Sequence, residues 1–199
     1  MTVISRTLER IESLRQLDAP AGALQTVLGR LLPEGRRIAA PLGGSGLGHP
    51  LHPALVLVPI GSWLSASVLD TVPGQQPAAR RLVLTGLLAA VPAAVTGAVD
   101  YRSLSGRQRR VGFVHLLSNL TATTCYAASY RSRLRGDTAA GRALGLLGLT
   151  AVGIGGALGG HLTYAQGVGV YRWQPPPAAE EPAGPRPGTY VRAGAGPQP

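Results

Sequence analysis

The chain has 199 residues, of which 45% are hydrophobic and only 14% charged, whereas soluble domains average about 25% charged. Its formal charge of +10 is carried by nineteen arginines and no lysine; because these cluster at the ends of apolar runs, the charge reads as membrane topology and anionic-lipid contact rather than nucleic-acid binding. The one cysteine, Cys125, excludes an internal disulfide and any multi-cysteine metal or iron–sulfur site.

Residues 1–37 open the chain. Ile4, Leu8, Ile11, Leu14 and Leu17 fall at helical spacing among Arg6, Glu9, Arg10, Glu12 and Arg15. No apolar core of signal-peptide length follows the first arginine. After Pro20, the same pattern returns in Leu24, Val27, Leu28, Leu31 and Leu32, and Pro33-Glu34-Gly35 ends it. These two amphipathic helices are too polar to span a membrane and are expected to lie on its surface or pack on a partner. Residues 41–48 form a glycine-rich linker; with no preceding strand and no following lysine, they are not a phosphate-binding loop.

Gly48-His49-Pro50-Leu51-His52-Pro53 comes next. A residue before proline is pushed towards extended geometry, and His49 and His52 both hold that position. The segment is therefore expected to be extended, with a helix starting at Pro53 and capped by His52. In such geometry residues i and i+3 lie roughly 9 Å apart, so each imidazole is expected to find its partner on another helix.

Four apolar segments follow, at 53–69, 82–99, 111–130 and 143–170. A span needs about 20 apolar residues, and four such runs joined by short arginine-rich links predict a four-span domain over 38–172. Pro59 and Pro92 should kink the first two helices. Gly155-x-x-x-Gly159 and Gly156-x-x-x-Gly160 predict a close helix approach. Tyr164, Tyr171 and Trp173 read as interfacial anchors. The Pro/Ala/Gly-rich tail, 173–199, is expected to be disordered. Arginines are more numerous on the amino-terminal side of the bundle, which favours a cytoplasmic amino terminus.

In four antiparallel spans, His49 and His52 at the start of the first, Asp100 at the end of the second, His115 and Asn119 early in the third, and His161 late in the fourth fall at one end. Ionisable groups in spans usually face the bundle interior and serve function. A haem b needs two axial imidazoles, for which His115 and His161 are candidates with His52 as substitute. A transition metal could instead use three of His49, His52, His115 and His161 with Asp100. The same groups could conduct protons or solute, or simply hydrogen-bond to backbone, Asn119 or Asp100 and lock the bundle. At the other end, Asp70 is expected to pair with Arg80 and Arg81. Cys125 reads as a small buried residue. Ser62, Ser65, Ser67, Thr121, Thr123 and Thr124 read as packing hydroxyls, and no serine–histidine–acid arrangement follows from spacing.

The double histidine–proline motif, Asp70, Gly97-x-x-Asp100, His115-x-x-x-Asn119 and Gly159-Gly160-His161-Leu162-x-Tyr164, in this order over about 38–172, resemble the bacterial membrane proteins grouped as domain of unknown function 2231. The resemblance implies a four-span domain without an established activity, in the bacterial inner membrane. Some relatives continue into a Rieske iron–sulfur domain; this tail lacks the cysteine–histidine pairs such a cluster requires. The expected architecture is all-α: a four-helix transmembrane bundle preceded by amphipathic helices. The leading functional expectation is a haem- or metal-binding membrane subunit of a redox system, not an enzyme by itself. Its partners would be the lipid bilayer, and a separate Rieske-type redox protein or a second copy of the chain. The alternatives are a non-catalytic scaffold or anchor, and a transporter or proton-conducting element.

Overall fold

A computed structural model describes residues 3–32 and 39–170. Within them the chain is all-α: no strand occurs among the described residues. Six helices carry the fold: α1 (Val3–Ser13), α2 (Asp18–Leu31), α3 (Leu51–Leu69, interrupted at Val56), α4 (Gln76–Tyr101), α5 (Gly106–Leu134) and α6 (Thr138–Gly160). The helix stop at 33–35, the anchors Tyr171 and Trp173, and the tail 173–199 lie outside the described residues.

Helix α3 starts two residues earlier than expected. Pro50, with extended backbone, is its N-cap, and His52 is already helical. The first turn of a helix leaves its N–H groups without intrahelical partners, so Pro53 costs nothing at the third position. The interruption at Val56 has its cause one turn on. Pro59 has no N–H for the Leu55 carbonyl and its ring crowds that carbonyl. The bonds Val56 N–H to His52 O (3.0 Å) and Ile60 N–H to Val56 O (3.2 Å) carry the helix across.

The remaining three helices start a turn or more before their apolar segments. These starts are arginine-bearing stretches, which propagate the helix beyond its apolar part. Asp137 fixes the start of α6 by accepting the Ala140 N–H at 3.0 Å. Helix α6 ends earlier than expected, in a π-helical turn over His161–Ala165, where the Gln166 N–H reaches the His161 carbonyl at 3.1 Å.

Connections are short, so α3 to α6 run alternately up and down. Trp63 of α3 stacks on Tyr126 of α5, with centroids 4.2 Å apart and planes at 9°. Glycines make room for both rings. A Cβ at Gly86 would stand 2.2 Å from the indole nitrogen, and one at Gly148 would stand 2.8 Å from the Tyr126 ring. Buried Gly141, Gly145, Gly148 and Gly155 line α6, which makes its most extensive contact with α5. Of the two expected glycine pairs, Gly155 and Gly159 lie against α5 side chains, whereas Gly156 faces open space.

Among the described residues, three helices are long and apolar enough to cross a membrane: Leu51–Leu69, Gln76–Tyr101 and Thr138–Ala165. Helix α5, the third of the four expected spans, is not among them by composition. At 29 residues it has the length, but His115, Ser118, Asn119, Thr121, Thr123 and Thr124 dilute its apolar character. Its hydroxyls satisfy themselves locally: Ser118, Thr121, Thr123 and Thr124 each donate to the carbonyl four residues back at 2.8 to 3.0 Å. They are therefore not interhelical links.

Helices α1 and α2 pack on the chain itself. Leu8 and Ile11 of α1 lie against Val111, Leu158 and Leu162. The Tyr101 hydroxyl donates to the carbonyl of fully buried Ala21 at 3.1 Å. Arg110 forks onto Asp18 with two contacts of 2.8 Å. Gln25 donates to the Arg102 and Leu104 carbonyls, capping the α4–α5 connection.

Candidate functional site

At one end of the bundle, built from α3, α4, α5 and α6, His52 and His115 come together. His52 Nδ1 lies 2.8 Å from the Ala93 carbonyl of α4. A carbonyl only accepts, so Nδ1 is the donor in this contact. His115 repeats the arrangement on the other side: its Nδ1 donates to the Gly155 carbonyl of α6 at 2.8 Å. The two rings meet edge to face, with centroids 6.1 Å apart and planes at 85°. Asn119, one turn along α5, donates to His115 Nε2 at 3.0 Å and to the His115 carbonyl at 2.9 Å.

Glycines seat these side chains. A Cβ at Gly97 would stand 2.8 Å from His52 Cε1, one at Gly159 would stand 3.1 Å from His115 Cε1, and one at Gly155 would stand 3.0 Å from Asn119 Oδ1. Two facing helices thus present bare backbone to the imidazoles, and each ring ties to a carbonyl on the opposing helix.

The other expected members go elsewhere. His161 donates from Nε2 to Glu12 Oε1 of α1 at 2.6 Å, and Gln166 donates to the same oxygen at 2.8 Å. The His161 hydrogen bond holds the Glu12 carboxyl below its ordinary value; partial burial works the other way, and Gln166 and Arg107 reinforce the lowering. The wide π-helical turn carries His161 at its first position, beside α1. His49 is exposed, and its carbonyl lies over Gly44, where φ is +91° and a Cβ would meet that oxygen at 1.8 Å. Asp100 is half-buried near the end of α4. Among the described residues, no three of His, Cys, Asp or Glu stand close enough to hold a metal ion.

The donor set does not fit a haem as it stands. His115 Nε2 is taken by Asn119 and His161 Nε2 by Glu12, so neither of the two expected axial imidazoles offers a free ring nitrogen.

A family model described as predicted membrane protein (DUF2231) matches residues 48–172. The chain belongs to this family. No curated protein and no solved structure matches it. The DUF2231 region begins one residue before His49 and holds the whole His52–His115–Asn119 group, together with His161. Glu12, the partner of His161, lies outside it on α1.

The opposite end of the DUF2231 domain carries a buried ion pair. Asp70, closing α3, receives both arms of Arg133 from α5 at 2.7 and 2.6 Å. The Arg133 side chain is 2% exposed. Its Nε donates to Ser129 Oγ at 3.2 Å, and Ser129 donates to the Gly141 carbonyl of α6. Arg142 stands 3.8 Å from the same carboxylate. The expected pairing of Asp70 with Arg80 and Arg81 is therefore corrected. A planar guanidinium approaching from α5 offers two parallel bonds to the carboxylate inside the bundle.

Cys125 is half-buried and free, close to Gly148 at the α5–α6 contact, and no base stands against it among the described contacts. Sequence reasoning missed Glu12, Gln166, Arg133 and the carbonyls of Ala93 and Gly155. Glu12 carried a faint signal, as an acid on the polar face of an amphipathic helix. The carbonyls carried none, because every residue has one.

Proposed function

We propose that this chain is a multi-pass protein of the bacterial inner membrane, its amino terminus cytoplasmic, and that its DUF2231 domain is a non-catalytic scaffold crossing the bilayer four times. One observation carries this reading. Exposed apolar side chains form a belt contributed by all four long helices: Leu57, Val58, Leu64 and Val68 on α3, Leu88, Val91 and Val95 on α4, Leu117 and Leu120 on α5, and Leu146, Leu147 and Ile154 on α6. Such a surface suits lipid and not water. The polar groups of α5 face inward or bond back to their own helix, so α5 crosses beside its more apolar neighbours. The imidazoles then serve as interhelical bolts: each Nδ1–H satisfies a carbonyl on another helix. Arginine excess on the amino-terminal side supports the orientation.

The rival reading is a haem- or metal-binding subunit serving a separate redox protein of Rieske type. It draws on the same two bonds, because a carbonyl at Nδ1 is the usual outer partner of a ligating imidazole and leaves Nε2 to a metal. It requires Asn119 to release His115 Nε2, with His52, His161, His49 and Asp100 as the further donors.

The full chain, expressed in cells supplied with haem and iron, separates the two. The scaffold reading expects alkaline-resistant membrane association, no Soret band, no stoichiometric metal, and a drop in melting temperature for His115→Gln. A Soret band or bound metal that disappears in His115→Ala overturns it in favour of the redox reading. Release of the chain by alkaline washing overturns both.

A further inference from the structure

At the end of the bundle remote from the histidines, a cavity of about 110 Å³ opens among Gln76, Pro77, Arg80, Arg133 and Thr138. A single water needs roughly 10–15 Å³ of such space, so the cavity admits a group of several polar atoms. Among the described residues no carboxylate lines it. Arg133 reaches it while both its terminal nitrogens are bound to Asp70. Arg80 is not so engaged: among the described residues its guanidinium has no hydrogen-bond or ion-pair partner, and neither has the Gln76 amide or the Thr138 hydroxyl.

The charges here do not cancel. Arg133 and Arg142 stand against the Asp70 carboxylate, Asp137 caps the start of α6 beside Thr138, and Arg80 lines the cavity as a further positive charge. Gln76 is also the first residue of α4, whose start has no side-chain cap, so the positive end of that long helix adds to the field at the cavity. Free donors, a surplus of positive charge and no acidic lining select an oxyanion. Arg80 stands just outside the apolar run that begins at Leu82, which is the depth of lipid phosphates in a spanning α4.

We propose that this cavity binds a phosphate group, held by the Arg80 fork, the Thr138 hydroxyl and the Gln76 amide, and supplied by an anionic phospholipid headgroup or by free phosphate. The headgroup source rests on the membrane reading above; the free-phosphate source does not.

The test uses the full chain, delipidated in neutral detergent. Retention of short-chain phosphatidylglycerol is read by native mass spectrometry, and inorganic phosphate is titrated separately by calorimetry. Arg80→Gln should weaken binding roughly tenfold, the loss of one charge-assisted fork, while Arg81→Gln, an exposed neighbour outside the cavity, should leave it within about twofold. Thr138→Val, which removes only a hydroxyl, should weaken binding several-fold and serves if Arg80→Gln fails to fold. Phosphatidylglycerol bound without phosphate identifies the headgroup; phosphate bound as well identifies the free anion. Equal weakening by Arg80→Gln and Arg81→Gln, or no binding of either probe by the wild type, overturns the proposal.

Discussion

Asn119 donates twice to His115, once to its ring at 3.0 Å and once to its backbone carbonyl at 2.9 Å. The side chain one turn along α5 thereby fixes the ring against the helix that carries it, while Gly155 holds the other nitrogen from α6. Removing Asn119 leaves Nε2 without its donor in a half-buried site. Asn119→Ala should therefore lower stability by about 1–3 kcal/mol, read as a melting shift in detergent. The double variant with His115→Ala should cost less than the sum of the singles, because both remove the same bond. Strict additivity would show that the pair is not coupled.

Glycine substitutions separate the ring seats from open helix surface. At Gly97 an added Cβ would overlap His52, at 2.8 Å from Cε1, whereas at Gly156 it would meet nothing within 4 Å. Gly97→Ala should destabilise by about 1–3 kcal/mol through overpacking. Gly156→Ala should be neutral or gain up to about 1 kcal/mol from helix propensity. Gly159→Ala, at 3.1 Å from His115, should fall between them. If all three variants melt alike, the imidazoles do not rest on the glycines.

The sequence was most legible where chemistry follows helical periodicity. His115 and Asn119, four apart, had to share a face of α5, and they do. The gathering of His52 with His115 followed from antiparallel counting alone. Periodicity said nothing of which acceptor an imidazole would choose, because the Ala93 and Gly155 carbonyls carry no residue signature. It also misdirected Asp70 towards its nearest arginines, since chain proximity cannot show that Arg133, 63 residues on, approaches from inside the bundle. His161 was lost to the histidine group for a similar reason. The acid that takes it lies on a helix whose charges looked like a solvated face, and docking of α1 on Val111 and Leu158 depends on tertiary packing.

The Asp70–Arg133 pair should respond asymmetrically to substitution. With the guanidinium 2% and the carboxylate 11% exposed, removal of one partner strands the other in the bundle. Asp70→Asn should cost about 3–5 kcal/mol, whereas Asp70→Asn combined with Arg133→Met should recover much of that loss. Thermal unfolding of the four-member set measures it. A double variant no more stable than Asp70→Asn alone would mean that Ser129 and Arg142, not the pair, dominate this end.

Docking of α1 should depend on pH through Glu12. The His161 hydrogen bond, against partial burial, lowers its pKa from an ordinary value of 4.5. A depressed folded-state pKa means that the undocked carboxyl takes up its proton first as pH falls. The contribution to docking is thus fully present above the undocked value of 4.5 and is lost as pH drops through the docked value. Hydrogen exchange over 3–13 should be slow at neutral pH and quicken once pH falls below that range, with α5 and α6 unaffected. Glu12→Gln should exchange faster at neutral pH and lose the acid step, because an amide cannot titrate. Leu8 and Ile11 keep their apolar contacts in that variant, so α1 should loosen rather than detach. An acid step that survives Glu12→Gln would assign the titration to another pair, of which Asp18 with Arg110 is the nearest candidate.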